Sequence, residues 1–239
     1  MKQKKLIAAV GAAVVLGFGG ATAQAADNFT GPYVGGSLSL FNNTTVSLSD
    51  SAVNADGDVV SETVNLGVDD AFNQLDLVFG YGALLNSRAY VGAEFRYTVA
   101  DRFKGKVLNF ASDADAGSFD IEGDGGYALM FQLGYAVTDN VVFYGTAGYV
   151  KREWDVSFSG VFEGTAEREE VSFKTSGIGY GIGVKYAFSR NLLVNAEVLK
   201  ANYSSKTVID EGVFDDAIGN AASLEPDSLS ASVGIMYRF

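Results

Sequence analysis

The side chains that could support chemistry in this sequence are charged, hydroxyl and amide groups, because its composition includes His 0 and Cys 0. The commonest general base and the thiol nucleophile are therefore absent. Serine–lysine or carboxylate-only chemistry is an open alternative, but we expect no enzyme and no cofactor. The motifs Asp56-Gly57-Asp58 and Asp113-Ala114-Asp115 look like fragments of a calcium loop. Neither has the remaining ligand spacing, so we interpret them as solvated acidic loops and predict no metal site.

A second set of polar residues stands between apolar residues at every second position, as around Glu94 and Arg96. Side chains two residues apart on a strand face the same side, so this set would share one interior. Buried charges must pair, because an isolated one is very costly. The predictions are a salt-bridged plug, in which Glu94 and Glu197 share Arg96 while Lys185 and Arg238 serve one end, or a narrow gated pathway. The complete set is Glu94, Arg96, Gln132, Lys185, Glu197 and Arg238.

The elements that must position these side chains are strands, since no helical periodicity persists after the first segment. In the segment 91–98, for example, apolar Val91, Ala93, Phe95 and Tyr97 alternate with polar or small residues. The fifth segment has two apolar or small faces, and we favour the face of Phe143 as the outward one. The predicted strands are 33–40, 75–82, 91–98, 127–135, 141–150, 177–186, 194–198 and 229–239.

The connections between these strands are alternately long and short. Short turns fall at 85–88, 138–140 and 189–191, where Asn, Asp and Ser favour tight turns. Long polar connections, interpreted as loops, run through about 41–71, 101–125, 151–171 and 204–227. The last strand keeps an unbroken apolar face that ends on Tyr237 and Phe239. The closing strand of an outer-membrane barrel shows such a face to lipid, whereas a soluble lipocalin-like carrier would need it inside.

The first 25 residues have the pattern of an export signal. Lys2, Lys4 and Lys5 precede an apolar stretch, and Ala23-Gln24-Ala25 is a small-residue cleavage site. This pattern predicts a cleaved signal peptide at 1–25 rather than a membrane anchor, followed by one domain at 26–239. The formal net charge of -12 argues against nucleic-acid binding, which requires a basic surface.

These features together resemble the small eight-stranded outer-membrane barrels, namely the OmpA-type transmembrane domain and the porin-family surface proteins of Gram-negative bacteria. The stretches that carry the resemblance are 31–36, 92–97, 134–149 and 237–239. The resemblance implies an all-β, antiparallel, up-and-down transmembrane barrel with four long extracellular loops and short periplasmic turns. Hydrolases of similar architecture rely on a histidine, so the resemblance implies no hydrolase activity. The peptidoglycan-binding domain of full-length OmpA-type proteins does not follow Phe239, so binding to the cell wall is not implied either.

The resemblance implies a monomeric outer-membrane protein with a structural or surface-interaction role. The alternative function is that of a narrow channel for ions or small solutes. Its expected partners are outer-membrane lipid and lipopolysaccharide, and during biogenesis periplasmic chaperones and the barrel-assembly machinery. That machinery would read Tyr237 and Phe239 as a C-terminal assembly signal.

Several basic residues follow or precede predicted strands on the side of the long connections. They could bind lipopolysaccharide phosphates through charge-assisted hydrogen bonds, or they could extend their ammonium groups to water and keep an acidic surface soluble. These rim residues are Arg102, Lys104, Lys106, Lys151, Arg152, Lys174, Lys200 and Lys206.

Overall fold

The computed structural model describes residues 28–53, 59–70, 74–85, 88–101, 104–111, 116–162, 165–208 and 222–239. The predicted signal peptide lies outside these residues. Within them, no helix is long and apolar enough to cross a membrane. The strands are β1 (Gly31–Val53), β2 (Val59–Asp70), β3 (Gln74–Leu85), β4 (Ala89–Asp101), β5 (Lys104–Ala111), β6 (Ala116–Thr138), β7 (Val141–Phe162), β8 (Thr165–Ala187), β9 (Leu192–Tyr203), β10 (Lys206–Val208) and β11 (Ala222–Arg238).

Eight of these described strands close a barrel in the order β1, β3, β4, β6, β7, β8, β9 and β11. Each pairs antiparallel with its neighbours, and β11 returns to pair with β1 from Tyr33↔Arg238 onward. The shorter β2, β5 and β10 extend the sheet by pairing with β1, β6 and β11. The predicted all-β, eight-stranded antiparallel barrel is therefore confirmed.

The two ends of the barrel differ. One end, called the turn end here, carries the short connections from β3 to β4, β6 to β7 and β8 to β9, together with Gly31 and Phe239. At the opposite end, the hairpin end, strands continue far past the predicted boundaries, and β7 pairs with β8 as far as Phe162↔Thr165. The interpretation of the long connections as loops was thus wrong over much of their length. Where water contacts both faces of a strand, polar residues can occupy both faces. The sequence there lacks the apolar–polar alternation that predicts a strand.

The two faces of the barrel wall follow the predicted alternation. On β6, Leu133 is 71% exposed, while the neighbouring Met130 and Gln132 are buried in the lumen. On β7, where the sequence was ambiguous, Phe143 faces outward and Tyr144 inward, as predicted. An apolar exterior around a polar interior is the arrangement that a lipid bilayer requires of a barrel.

Glycines in the strands make room for tyrosine rings inside the lumen. A Cβ atom at Gly80 would overlap the ring of Tyr33, and one at Gly183 would overlap the ring of Tyr144. An eight-stranded barrel has an interior that side chains just fill, so large rings must face positions that have no side chain. Gly80 and Gly183 therefore provide the space that Tyr33 and Tyr144 occupy in the lumen.

Phe239 allows a matched test of the predicted assembly signal. Phe239 is 69% exposed with its ring 5.3 Å from that of Tyr237, and Phe188 is 70% exposed with its ring 6.5 Å from that of Tyr186. We expect Phe239→Ala to abolish most of the compact, heat-modifiable band on gels of membrane fractions, because the closing strand would lose its recognition residue. Phe188→Ala should leave that band near the wild-type level, and equal losses in both variants would contradict the prediction.

Candidate functional site: the lumen and its rim

The centre of the lumen is an ion pair that spans the barrel. Arg96 on β4 donates from Nη1 and Nη2 to the two carboxylate oxygens of Glu197 on β9, at 2.5 and 2.9 Å. β4 and β9 are four strands apart in the closed ring, so this bidentate pair joins opposite walls. Arg96 also donates from Nε and Nη2 to Glu94, at 3.0 and 2.6 Å. Arg96 thus forms ion pairs with both carboxylates, Glu94 and Glu197.

Lys185 adds a second cation to the same cluster. Its ammonium is fully buried and lies 3.2 Å from Glu94 Oε1, and it also contacts the hydroxyls of Tyr33 and Tyr90 at 3.0 and 2.9 Å and Gln132 Oε1 at 3.1 Å. The sequence assigned Lys185 to one end of the lumen, whereas the structure places it beside Glu94. Two carboxylates and two cations give a formally neutral cluster, which limits the cost of burying its charges.

Three tyrosine rings surround Lys185 Nζ. The distances from Nζ to the ring centroids are 4.5 Å for Tyr33, 5.2 Å for Tyr90 and 5.5 Å for Tyr144. The hydroxyl of Tyr33 donates to Glu94 at 2.8 Å and that of Tyr144 to Glu197 at 3.1 Å. The rings therefore stabilise the ammonium with their faces and the carboxylates with their hydroxyls. These tyrosines were not among the predicted site residues, although they alternate with small residues in the sequence.

Arg238 lies at the turn end, apart from the cluster of Glu94, Arg96, Lys185 and Glu197. Its guanidinium donates to the backbone carbonyls of Thr30, at 2.6 Å, and Arg190, at 2.9 and 2.5 Å. The sequence placed Arg238 at this end correctly but grouped it with the charge network. The structure shows a residue that ties the start of β1 to the turn between β8 and β9.

An apolar layer fills the turn end of the lumen. Phe29 is 1% exposed and its ring lies edge-on to that of Tyr90, with 6.3 Å between centroids. Asn28 holds this segment across the opening by donating to the carbonyl of Asp139 at 3.0 Å and to Asn140 Oδ1 at 2.6 Å. No periodic pattern in the sequence predicted a role for Phe29, an isolated aromatic residue in a polar stretch. Its layer consists of Phe29, Tyr33, Val78, Tyr90, Ala136, Val142, Tyr144, Ala187, Leu193 and Met236.

A second closing layer lies toward the hairpin end. Trp154 is fully buried, donates from Nε1 to Thr175 at 2.9 Å and packs perpendicular to Tyr203, with 5.9 Å between ring centroids. The guanidinium of Arg152 lies over the indole ring at 4.7 Å. The sequence placed Trp154 in a loop and Arg152 on the outer rim, and both predictions were wrong. β7 continues through these residues, and its alternation turns both side chains into the lumen.

Between this layer and the charged cluster lies a polar cavity of about 70 Å³, which admits several water molecules. Asp76 is buried beside it and accepts hydrogen bonds from Gln74, at 2.9 and 3.0 Å, and from Thr98, at 2.7 Å. In the part of the chain that the structure describes, no group of three or more His, Cys, Asp or Glu side chains could hold a metal ion. Within the described residues, a small polar cavity thus separates the charged cluster from the Trp154 layer.

The remaining rim residues divide into three groups. Lys174 pairs with Glu153 at 2.5 Å, and Lys151 lies over the ring of Tyr127 at 5.9 Å. Lys200 stands on the outer face of β9, between Tyr180 and Leu229 of the adjacent strands. Arg102 lies outside the described residues, as do the side chains of Lys104, Lys106 and Lys206. Binding of lipopolysaccharide phosphate by these rim residues stays a prediction.

A closed antiparallel barrel with an apolar exterior and a charged, filled interior defines a small transmembrane β-barrel. The family model described as "Outer membrane protein beta-barrel domain" matches residues 11–239. The chain belongs to this family of outer-membrane barrels, which confirms the predicted family and its location in the Gram-negative outer membrane. In such barrels the turn end faces the periplasm and the hairpin end the exterior.

Solved structures similar to this chain are also outer-membrane proteins. The outer membrane protease OmpT from Escherichia coli shares 12% identity, with 92% of this chain and 99% of that chain covered and a TM-score of 0.49. OprG from Pseudomonas aeruginosa shares 16% identity, with 88% of this chain and 97% of that chain covered and a TM-score of 0.46. Ail, the attachment invasion locus protein of Yersinia pestis, shares 16% identity, with 88% of this chain and 100% of that chain covered and a TM-score of 0.37. No curated protein matches the chain in sequence.

The pair across the lumen leads to a stability prediction. Arg96→Ala would leave Glu197 without its cation and Glu94 with Lys185 alone, so we expect the free energy of unfolding to fall by about 3–5 kcal/mol. The measurement is urea unfolding of the barrel in lipid vesicles.

The matched control is Lys174→Ala, which breaks an ion pair whose side chains are 52% and 40% exposed. Exposed pairs contribute about 0–1 kcal/mol, so this variant should unfold close to the wild type. Similar decreases in the free energy of unfolding of the two variants would show that the ion pair in the lumen stabilises the barrel no more than an exposed ion pair does.

Proposed function

We propose that this chain is a structural and surface-interaction protein of the outer membrane, with a lumen that is closed to solutes. The observation that supports this proposal most directly is the succession of filled layers along the lumen. The Phe29 layer, the Arg96–Glu197 pair and the Trp154 layer follow one another from the turn end to the hairpin end. A solute would have to displace all three, and the second is an ion pair whose separation would leave buried charges unpaired.

The length of the strands supports a role at the cell surface. A membrane-spanning strand needs about 9–11 residues, whereas β7 has 22 and β8 has 23. Because the turns at the other end are short, the excess residues of this pair extend from the hairpin end. Paired strands present side chains in a fixed order and are therefore suited to contact with other molecules outside the membrane.

A narrow channel is the second candidate, and the polar cavity of about 70 Å³ favours it. Among the described residues, the two closing layers contain the side chains of Phe29 and Trp154, and side chains can change rotamer. An enzymatic role is not proposed, because the sequence has His 0 and Cys 0. Monomeric assembly by the barrel-assembly machinery remains our prediction.

Conductance in planar lipid bilayers tests this proposal. We expect no channel events from the wild-type barrel, because three layers block the lumen. A variant that removes Phe29 and Trp154 from the two closing layers and both members of the central ion pair, and that keeps the Glu94–Lys185 pair, should conduct; it carries Phe29→Ala, Trp154→Ala, Arg96→Ala and Glu197→Ala.

The variant must first show the heat-modifiable band of a folded barrel. Discrete wild-type events of the same size as those of the variant would contradict a closed lumen and support the channel. A silent variant that is folded would show that the layers identified here do not control passage.

A further inference from the structure

The segment 28–30, which precedes β1, lies across the turn end of the barrel and is called the strap here. Its far end is held by the hydrogen bonds that Asn28 donates to Asp139 and Asn140. Those two residues form the turn between β6 and β7, the third and fourth strands from β1 around the ring. The strap therefore spans the opening from one wall to the opposite wall.

Two glycines form a seat for the strap. Gly31 has a φ of +130°, a backbone conformation that favours glycine, and the chain passes through it from the strap into β1. Gly82 is the strand partner of Gly31, and a Cβ atom at Gly82 would lie 2.6 Å from the carbonyl oxygen of Phe29. A side chain at Gly82 would push the strap out of this position, and one at Gly31 would strain the entry into β1.

The near end of the strap is bonded to both neighbours of β1 in the ring. Arg238 of the closing strand β11 donates from Nη1 to the carbonyl oxygen of Thr30 at 2.6 Å. On the other side, the backbone N–H of Leu84 on β3 donates to Thr30 Oγ1 at 3.0 Å. Beside them, the N–H of Phe239 donates to the carbonyl oxygen of Pro32 at 3.0 Å. This set of bonds is complete only when β11 has paired with β1.

The apolar contacts of the strap also require the closed ring. Phe29 is buried, and the layer around its ring contains side chains from every strand of the ring, from Tyr33 on β1 to Met236 on β11. An open sheet would bring only part of this layer together. The site that receives Phe29 is therefore a product of ring closure, and burial of the aromatic ring favours the closed state.

We propose that the strap is a latch that enters its seat after the ring has closed and then prevents β1 and β11 from separating. A chain end can enter such a seat without threading, and the predicted signal cleavage would leave only residues 26 and 27 ahead of Asn28. Before β1 and β11 can separate, Phe29 must leave the lumen and Arg238 must release Thr30. Contacts that form after the folding transition state slow unfolding and leave the folding rate unchanged, so the latch provides kinetic stability. This role does not depend on whether the lumen conducts.

Folding and unfolding rates of the purified barrel in lipid vesicles test the latch, with the fluorescence of Trp154, the single tryptophan of the chain, as the signal. We expect Phe29→Ala to accelerate unfolding in urea by about a hundredfold or more, because it truncates a buried aromatic side chain, and to leave the folding rate within about a factor of two. Leu193→Ala is the matched control. Leu193 is fully buried in the same layer but belongs to the wall strand β9, so its truncation should also slow folding. A folding rate lowered as much by Phe29→Ala as by Leu193→Ala would overturn the proposal.

A second pair of variants displaces the strap without changing its residues. The added methyl group of Gly82→Ala would meet the carbonyl oxygen of Phe29 and the ring of Tyr90, whereas that of Gly92→Ala would meet the same ring and Gln132 but not the strap. We expect Gly82→Ala to unfold about tenfold faster than Gly92→Ala, as overpacking against the backbone predicts, while the two variants fold at similar rates. Equal unfolding rates of these two variants would overturn the proposal. Neither measurement involves conductance, so failure here is distinct from failure of the closed-lumen proposal.

Discussion

The bidentate ion pair between Arg96 and Glu197 constrains the whole barrel, because it joins two opposite walls through the centre of the lumen. A slip of one residue in β4 or β9 would turn one partner toward lipid, where a charge is strongly unfavourable. The pair therefore fixes the register of both strands, and the antiparallel pairing transmits that register to their neighbours. In a membrane, where association of apolar surfaces adds little, a polar interior of this kind is what specifies one arrangement of strands.

The rest of the lumen composition follows from keeping those charges neutral. Glu94 must also be neutralised, and Lys185 reaches it only because Tyr33, Tyr90 and Tyr144 provide a polar and aromatic surrounding for the ammonium. Those rings need space that an eight-stranded barrel lacks, and glycines in adjacent strands provide it. Charges, tyrosines and glycines are thus one set of mutually dependent residues, and the fold cannot be explained by any of the three alone.

The sequence predicted the part of this architecture that depends on contact with lipid. Alternation identified the outward face of the membrane-spanning strands other than β7, where both faces are apolar or small, and so it placed Glu94, Arg96 and Glu197 inside. Alternation could not predict the partners of Lys185, because they depend on which strands become neighbours in the closed ring. It also missed Trp154 and Phe29. Trp154 lies in a part of β7 that extends toward water, where polar residues obscure the period, and Phe29 precedes the first strand and has no periodic context.

A charge in an apolar surrounding needs a partner of opposite charge, and this requirement applies to both faces of the barrel wall. Inside, each member of the cluster has a protein partner of opposite charge, and on the outer face Lys174 has one in Glu153. Lys200 departs from this rule within the described residues, although it lies in the more apolar surrounding of the two lysines. A charge in such a surrounding needs an anionic partner or must extend to water.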